Sequence, residues 1–482
     1  MAPSFVGRDK ELETLENAYA KDDFQMVVIY GRRRVGKTAL IDAFVDGKPT
    51  IYFTASQQNA ALNLRDFSSC VISFFGLPAS TPAFASWRDA FDFIVDRSRQ
   101  MPGERIVVVF DEFPYAAATS PSLPSVLQIA IDHGFSRSNV MMILCGSNQG
   151  FMESDVLGSK SPLYGRRTAQ MKLRPFDYYD AARLLPATAG PEEKIRYYAA
   201  FGGTPYYLRQ IDPSQTFEQN VIRLCFSNAG LLYEEPMMLL RQEVRDPATY
   251  YSLLRSIGNG ASTPKQMAEK SGIDAQSVGV YLRTLVGLGI VERTVPFGEN
   301  PEKSRRGRYR IADPFFAYWH QFVAPYAGLI ETGNGESAAR RVAFGEVFDT
   351  YVGMEFESVC MQWVLKASRE NKLGMLVSRA GKWWGSNPVA HEQTDIDVVA
   401  ADDFDKVLLL GECKWRNSFN ESSAIEALRG RIGLVDGSFG RTRLAVFSKR
   451  RVSTATREKY AADRDMIFLD AGDLFDDGYA AS

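Results

Sequence analysis

QMVVIYGRRRVGKTALIDAFV, residues 25–45, decides how the first third of this chain is read. QMVVIY is a short apolar run rich in β-branched residues, GRRRVGKT follows at once, and ALIDAFV then spaces its apolar residues as a helix does. The order is strand, glycine loop, helix. In that context the eight central residues fit GxxxxGK[ST], in which Gly31 and Gly36 let the backbone of Arg32, Arg33, Arg34 and Val35 wrap around an anion. The loop amides would face phosphate oxygens at the positive end of the following helix. Lys37 would reach the β and γ phosphates and the Thr38 hydroxyl would hold Mg²⁺, so ATP and Mg²⁺ are the expected cofactors.

A second apolar run, RIVVVFDEF at 105–113, ends in Asp111 and Glu112, where an open parallel sheet presents its ligands. Asp111 would join the Mg²⁺ shell and Glu112 would polarise the attacking water. TIYFTA at 50–55 lies between the glycine loop and this run, VMMILCG at 140–146 ends beside Ser147 and Asn148, and MKLRPF at 171–176 supplies a fifth strand. Asn148 is placed to sense the γ-phosphate or orient water. An acidic pair with an inserted strand is the pattern of the additional-strand class of P-loop ATPases.

Together FVGRDKEL (5–12), GRRRVGKT, VVVFDEF, LCGSNQGFM (144–152), SPLYGRRT (161–168) and FGGTPYYL (201–208) resemble the AAA+-like ATPases common in archaea and scattered through bacteria, relatives of the STAND signalling NTPases. The resemblance implies that Phe5, Val6, Gly7 and Arg8 border the adenine. It puts Gly203 and Pro205 in a helical lid and makes Arg166 and Arg167 candidates for a γ-phosphate contact, in cis or from a neighbouring subunit.

Beyond the fifth strand, DYYDAARLL, EEKIRYYAAF and TFEQNVIRLCF read as helices without intervening strands, the expected lid. Residues 262–297 then read as a helix capped by Thr263, a GID turn, a second helix stopped by Gly289, and a strand; with the return through RYRI they suggest a winged helix-turn-helix. Its loop, KSRRGRYR at 303–310, offers Lys303, Arg305 and Arg306 to a phosphate backbone. The exposed face of the second helix is thin for reading bases, and docking against a neighbouring domain competes with DNA contact.

From about residue 340 the pattern is again α/β: a helix YVGMEFESVCMQWVLK, then strands RAGKWWG, TDIDVVA, KVLLLGECKW and TRLAVFS, with the helix SAIEALRGRIGLV between the last two. This resembles the PD-(D/E)XK nuclease core, with Ile396 where the name implies proline. If Ala400 pairs with Val407, Asp397 lies opposite Leu410 and shares a face with Glu412 and Lys414. Asp397 and Glu412 would then bind metal, Lys414 would position water, and Glu357 would add a carboxylate from the helix.

Bulk composition agrees with a multidomain globular protein. The chain has 482 residues, 45% hydrophobic and 24% charged, with a net charge of −2, which suits about three domains and excludes a strongly basic nucleic-acid footprint. Three histidines leave little room for a histidine cluster, and five cysteines without a CxxC pair fit a reducing compartment. The opening segment lacks an apolar signal core and no apolar run approaches the roughly 20 residues that span a bilayer, so a cytoplasmic location with no membrane partner is expected.

The expected architecture is α/β: a P-loop core over 1–180, a helical lid over 181–245, a winged helix over 246–325 and a restriction-endonuclease-like α/β domain over 340–482. The expected activity is an ATPase that passes nucleotide state to a DNA-associated, nuclease-like domain. The alternatives are a DNA-binding regulator with an inactive C-terminal platform, and a STAND-like switch acting on protein partners or through self-association.

Overall fold

The computed structural model describes residues 5–101, 103–388 and 391–478; residues 1–4 of the opening segment lie outside it. Two compact units meet in sequence between Pro175 and Phe176.

The first unit is built on β1 (Gln25–Tyr30), β2 (Thr50–Thr54), β3 (Ile106–Asp111), β4 (Val140–Gly146) and β5 (Ala169–Lys172). They pair in parallel in the order β2-β3-β4-β1-β5. β1, β3 and β4 are buried along their whole length, because helices cover both faces. On one face Val27, Ile29, Val107, Val109 and Ile143 pack with Leu15, Leu40, Ile41 and Phe44. On the other, Met26, Val28, Val108, Phe110 and Leu144 pack with Phe67, Trp87 and Phe91. The alternation along each strand follows the two-residue period of side-chain direction. In space β4 separates the glycine-loop strand β1 from the carboxylate strand β3, so their C-terminal ends form one rim. The fifth strand begins and ends earlier than 171–176: it pairs with β1 over Ala169–Lys172, and Leu173 turns its amide to the Tyr30 carbonyl.

In the second unit, helices Pro191–Phe201 and Phe217–Cys225 bear out the helical reading, the latter started by a Thr216–Gln219 capping box. The Tyr351 hydroxyl, on the long helix Glu346–Arg369, shares its one proton between the Ala199 and Pro314 carbonyls, 3.0 and 2.8 Å away. The early helices are thereby fastened to the C-terminal half of the same unit. Helices Pro264–Ser271 and Ala275–Gly287 precede an antiparallel hairpin of β6 (Val291–Thr294) and β7 (Arg308–Ile311).

The second sheet runs β12-β11-β10-β9-β8, with β8 (Arg379–Asn387), β9 (Glu392–Asp402) and β10 (Val407–Lys414) antiparallel and β11 (Arg441–Ser448) and β12 (Met466–Asp470) continuing in parallel. β12 carries no strong signal in the sequence. The helix over SAIEALRGRIGLV stops at Arg429. The β9–β10 register differs from the expected one by two residues: Ala400 pairs with Leu409, and Asp402 with Val407. The buried Asp402 carboxylate accepts the Phe404 and Asp405 amides at 2.9 and 3.0 Å, which tightens the connection to four residues. A shift of two preserves the face of every side chain, whereas a shift of one would have reversed it. Among the described residues no helix is long and apolar enough to cross a membrane.

Candidate active site

The glycine loop adopts the conformation that its glycines allow. Gly31 has φ +152°, and a Cβ there would lie 2.3 Å from the Leu173 carbonyl oxygen. Gly36, at φ +92°, opens the helix Lys37–Val45. Arg8 straps the loop from beneath, donating to the Val35 carbonyl at 3.0 Å and to the Arg174 carbonyl at 2.6 Å. Gly7, before it, sits at φ +70°, and Phe5 packs on the core of this face. Arg32 and Val35 are buried, and Arg33 donates to the Tyr115 hydroxyl. The Lys37 ammonium rests on the loop's own Gly31 and Arg32 carbonyls at 2.9 and 3.1 Å, contacts that it must exchange to meet a phosphate.

The carboxylates stand where the sheet places them. Thr38 Oγ1 lies 3.3 Å from Asp111 Oδ2, and the other Asp111 oxygen accepts the Glu112 amide at 2.9 Å. A hydroxyl and a carboxylate are hard oxygen donors suited to Mg²⁺, which takes its remaining ligands from phosphate and water. Glu112 has φ +50°, and its Oε2 accepts both the amide (3.1 Å) and the hydroxyl (2.9 Å) of Ser147 at the end of β4. Asn148 caps the short helix after β4 through the Phe151 amide at 3.0 Å. Arg166 is committed to Asp132, with two bonds of 2.8 and 2.7 Å, and its guanidinium holds that carboxyl below the usual range. Arg167 lies over Tyr164, within electrostatic reach of Tyr30 at the end of β1. Tyr52 and Cys145, which also touch Asp111, were not singled out from sequence. Tyr52 stands two residues, and Cys145 one, before the C-terminal end of its strand.

In the second unit, a Cβ on Gly203 would overlap the Phe176 carbonyl at 1.8 Å, so close backbone packing accounts for the glycine; Pro205 is buried at a helix start.

The C-terminal cluster assembles partly as expected. Asp397 accepts the Cys413 amide at 2.8 Å, and continuing the observed register sets it across from Glu412 rather than Leu410. Burial, then the charges of Glu357 and Glu412, push the Asp397 carboxyl well up. The other carboxylates are neutralised by cations: Glu412 by Lys414 and by Arg431, Glu357 by Lys382. Among the described residues no group of three or more His, Cys, Asp or Glu side chains is arranged to hold a metal; Asp397 and Glu412 stand as a pair, with Glu412 bound to Lys414 and Arg431. Arg431 and Lys382 come from a neighbouring helix end and from β8, and no local pattern announces them.

The basic loop is also partly spent. Arg306 binds Glu299 at 2.8 Å and donates to the Trp384 carbonyl, Arg308 lies 5.0 Å over the Trp384 ring, and the Phe297 amide donates to the Lys382 carbonyl at 2.8 Å. Arg306 is thus partly engaged within the unit, and Lys303, Arg305 and Arg306 are all exposed.

Comparisons with known proteins find similar chains and family models. An uncharacterized protein of Methanocaldococcus jannaschii is 29% identical over 414 residues, covering 86% of this chain and 88% of that protein. An uncharacterized ATP-binding protein of the same organism is 48% identical over 44 residues, 9% of this chain and 75% of that protein. The Walker-type ATPase of Pyrococcus abyssi superposes with a TM-score of 0.48 at 20% identity, over 66% of this chain and 96% of that one. Residues 319–425 match a family described as Archaea bacterial proteins of unknown function. Residues 5–211 match the model of an ATPase domain predominantly from Archaea, and the parallel five-stranded sheet with its glycine loop has the P-loop NTPase fold.

Proposed function

We propose that the chain binds ATP with Mg²⁺, hydrolyses it, and passes the nucleotide state to residues 176–482. The observation that carries this reading is the 3.3 Å approach of Thr38 Oγ1 to Asp111 Oδ2 beside a glycine loop whose lysine is held at its mouth. The loop amides hold the phosphates, Lys37 neutralises the β and γ oxygens, and Glu112, released from Ser147, orients the attacking water. Thr38 and Asp111 would hold Mg²⁺, which when bound would supply neutralisation of phosphate charge. Arg167 is the arginine free to meet the γ-phosphate, since Arg166 is spent on Asp132. Phe5, Val6, Gly7 and Arg8 form the adenine side, and Gly203 and Pro205 belong to a helical lid. Similarity to the ATP-binding relative supports the choice of nucleotide. The chain works in the cytoplasm, where ATP meets reduced thiols.

Residues 246–325 are read as a winged helix and residues 340–482 as a nuclease-like domain acting on or near DNA, with Lys303, Arg305 and Arg306 as exposed cations. A second reading, a catalytically silent platform in a STAND-like switch, is favoured by the ion pairs that occupy Glu357 and Glu412 and by the docking of the hairpin loop on β8.

Replacing Lys37 with alanine tests the first reading: ATP turnover should fall roughly a hundredfold or more, and unchanged turnover would overturn it. Plasmid incubated with Mg²⁺ or Mn²⁺ separates the two readings of the C-terminal domain. Cleavage lost in Glu412→Ala supports the nuclease; intact plasmid supports the platform.

A further inference from the structure

The strands on both sides of Asp111 aim neutral donors at its buried carboxylate. Thr54 of β2 pairs with Asp111, and Tyr52, two residues back, shares that face; its hydroxyl lies 3.5 Å from Asp111 Oδ2. From β4, on the other side, the buried Cys145 thiol hydrogen-bonds the same carboxylate. With Thr38 and the Glu112 amide, four neutral donors surround a side chain that is 4% exposed. A second carboxylate enters from the glycine-loop helix. Asp42, one turn beyond Thr38, also hydrogen-bonds the Tyr52 hydroxyl. A phenol has one proton to donate and here faces two carboxylates.

We propose that Tyr52 is a positioning residue for the metal half of the site. In the metal-free protein its O–H lies between Asp111 and Asp42, screening their repulsion and holding Asp111 Oδ2 toward Thr38. Asp111 and Thr38 would hold the cation, and the Tyr52 O–H, kept on the Asp42 side, would hold the two carboxylates apart and Asp111 facing the cation. A tyrosine that merely packed would behave like phenylalanine, since only the hydroxyl reaches the carboxylates. This role rests on the Mg²⁺ reading above.

The test is ADP binding by the full chain, measured by titration calorimetry across a Mg²⁺ series and in EDTA. In Tyr52→Phe the Mg²⁺ concentration for half-maximal tightening should rise roughly 3- to 30-fold, the loss of one hydrogen bond to a charged group, with the loss confined to Mg²⁺-containing buffer. Asp42→Asn, at an exposed position, should raise the Mg²⁺ requirement in the wild-type chain and add less than about twofold on Tyr52→Phe. A Mg²⁺-dependent wild type with an unchanged Tyr52→Phe, an equal loss in EDTA, or an undiminished Asp42→Asn effect on Tyr52→Phe would each overturn the role of Tyr52 alone. A wild type indifferent to Mg²⁺ would remove the metal reading and this role with it.

Discussion

Glu355 gives the second unit a pH dependence whose size can be worked out. It sits on the helix Glu346–Arg369 with 6% of its side chain exposed, 3.8 Å from the Arg310 guanidinium. Burial raises its pKa from 4.5 to about 7, against the opposing pull of Arg310 and Lys382. Because the folded state holds this proton longer than the unfolded chain does, the stabilisation is complete below the unfolded pKa. It is lost as pH rises through the folded one. Integrating between pH 5 and pH 8 gives a loss of about 2.5 kcal/mol. Five of the six tryptophans (Trp319, Trp363, Trp383, Trp384 and Trp415) lie beyond residue 175, so fluorescence-monitored urea unfolding reports mainly on this unit. Glu355→Gln keeps the shape and removes the titration. Its stability should decline less than the wild type's by about 2.5 kcal/mol over that range, whatever constant offset follows from losing the charge opposite Arg310. Parallel profiles for the two proteins would refute the reasoning.

The remaining expectations concern single groups. Gly31→Ala should abolish ATP binding measured with a fluorescent analogue, since its Cβ would lie 2.3 Å from the Leu173 carbonyl oxygen; retained binding would show that the loop tolerates another path. Arg167→Ala should lower turnover roughly 10³-fold or more if it meets the γ-phosphate, whereas Arg166→Ala should change it little, and the reverse order would reassign the pair. Arg431→Ala leaves Glu412 buried with Lys414 as its remaining cationic partner and should cost about 2 kcal/mol in the same unfolding assay; a neutral result would mean that water reaches the carboxylate.

The glycine loop was legible because phosphate binding at a helix N-terminus needs contiguous residues, and contiguity is what a sequence displays. The strands of the first sheet were legible for a related reason: burial on both faces leaves unbroken apolar runs, as in β1, β3 and β4. Parity was legible too. Asp397, Glu412 and Lys414 had to share a face under any even register, so the two-residue error at Ala400 left the cluster intact.

The chain order alone thus determined the strand–loop–helix unit, the carboxylate strand and which residues share a face. Tertiary structure decided what those residues do to one another. Arg166 is bound to Asp132, 34 positions away; Glu412 is neutralised by Arg431 across 19; Arg306 is drawn to Trp384 across 78; and Tyr52 is brought to Asp111 by strand pairing across 59. Charge and hydrogen bonding act through distances of a few ångströms. Which groups come that close is set by packing of segments remote in the chain, and no local pattern encodes it.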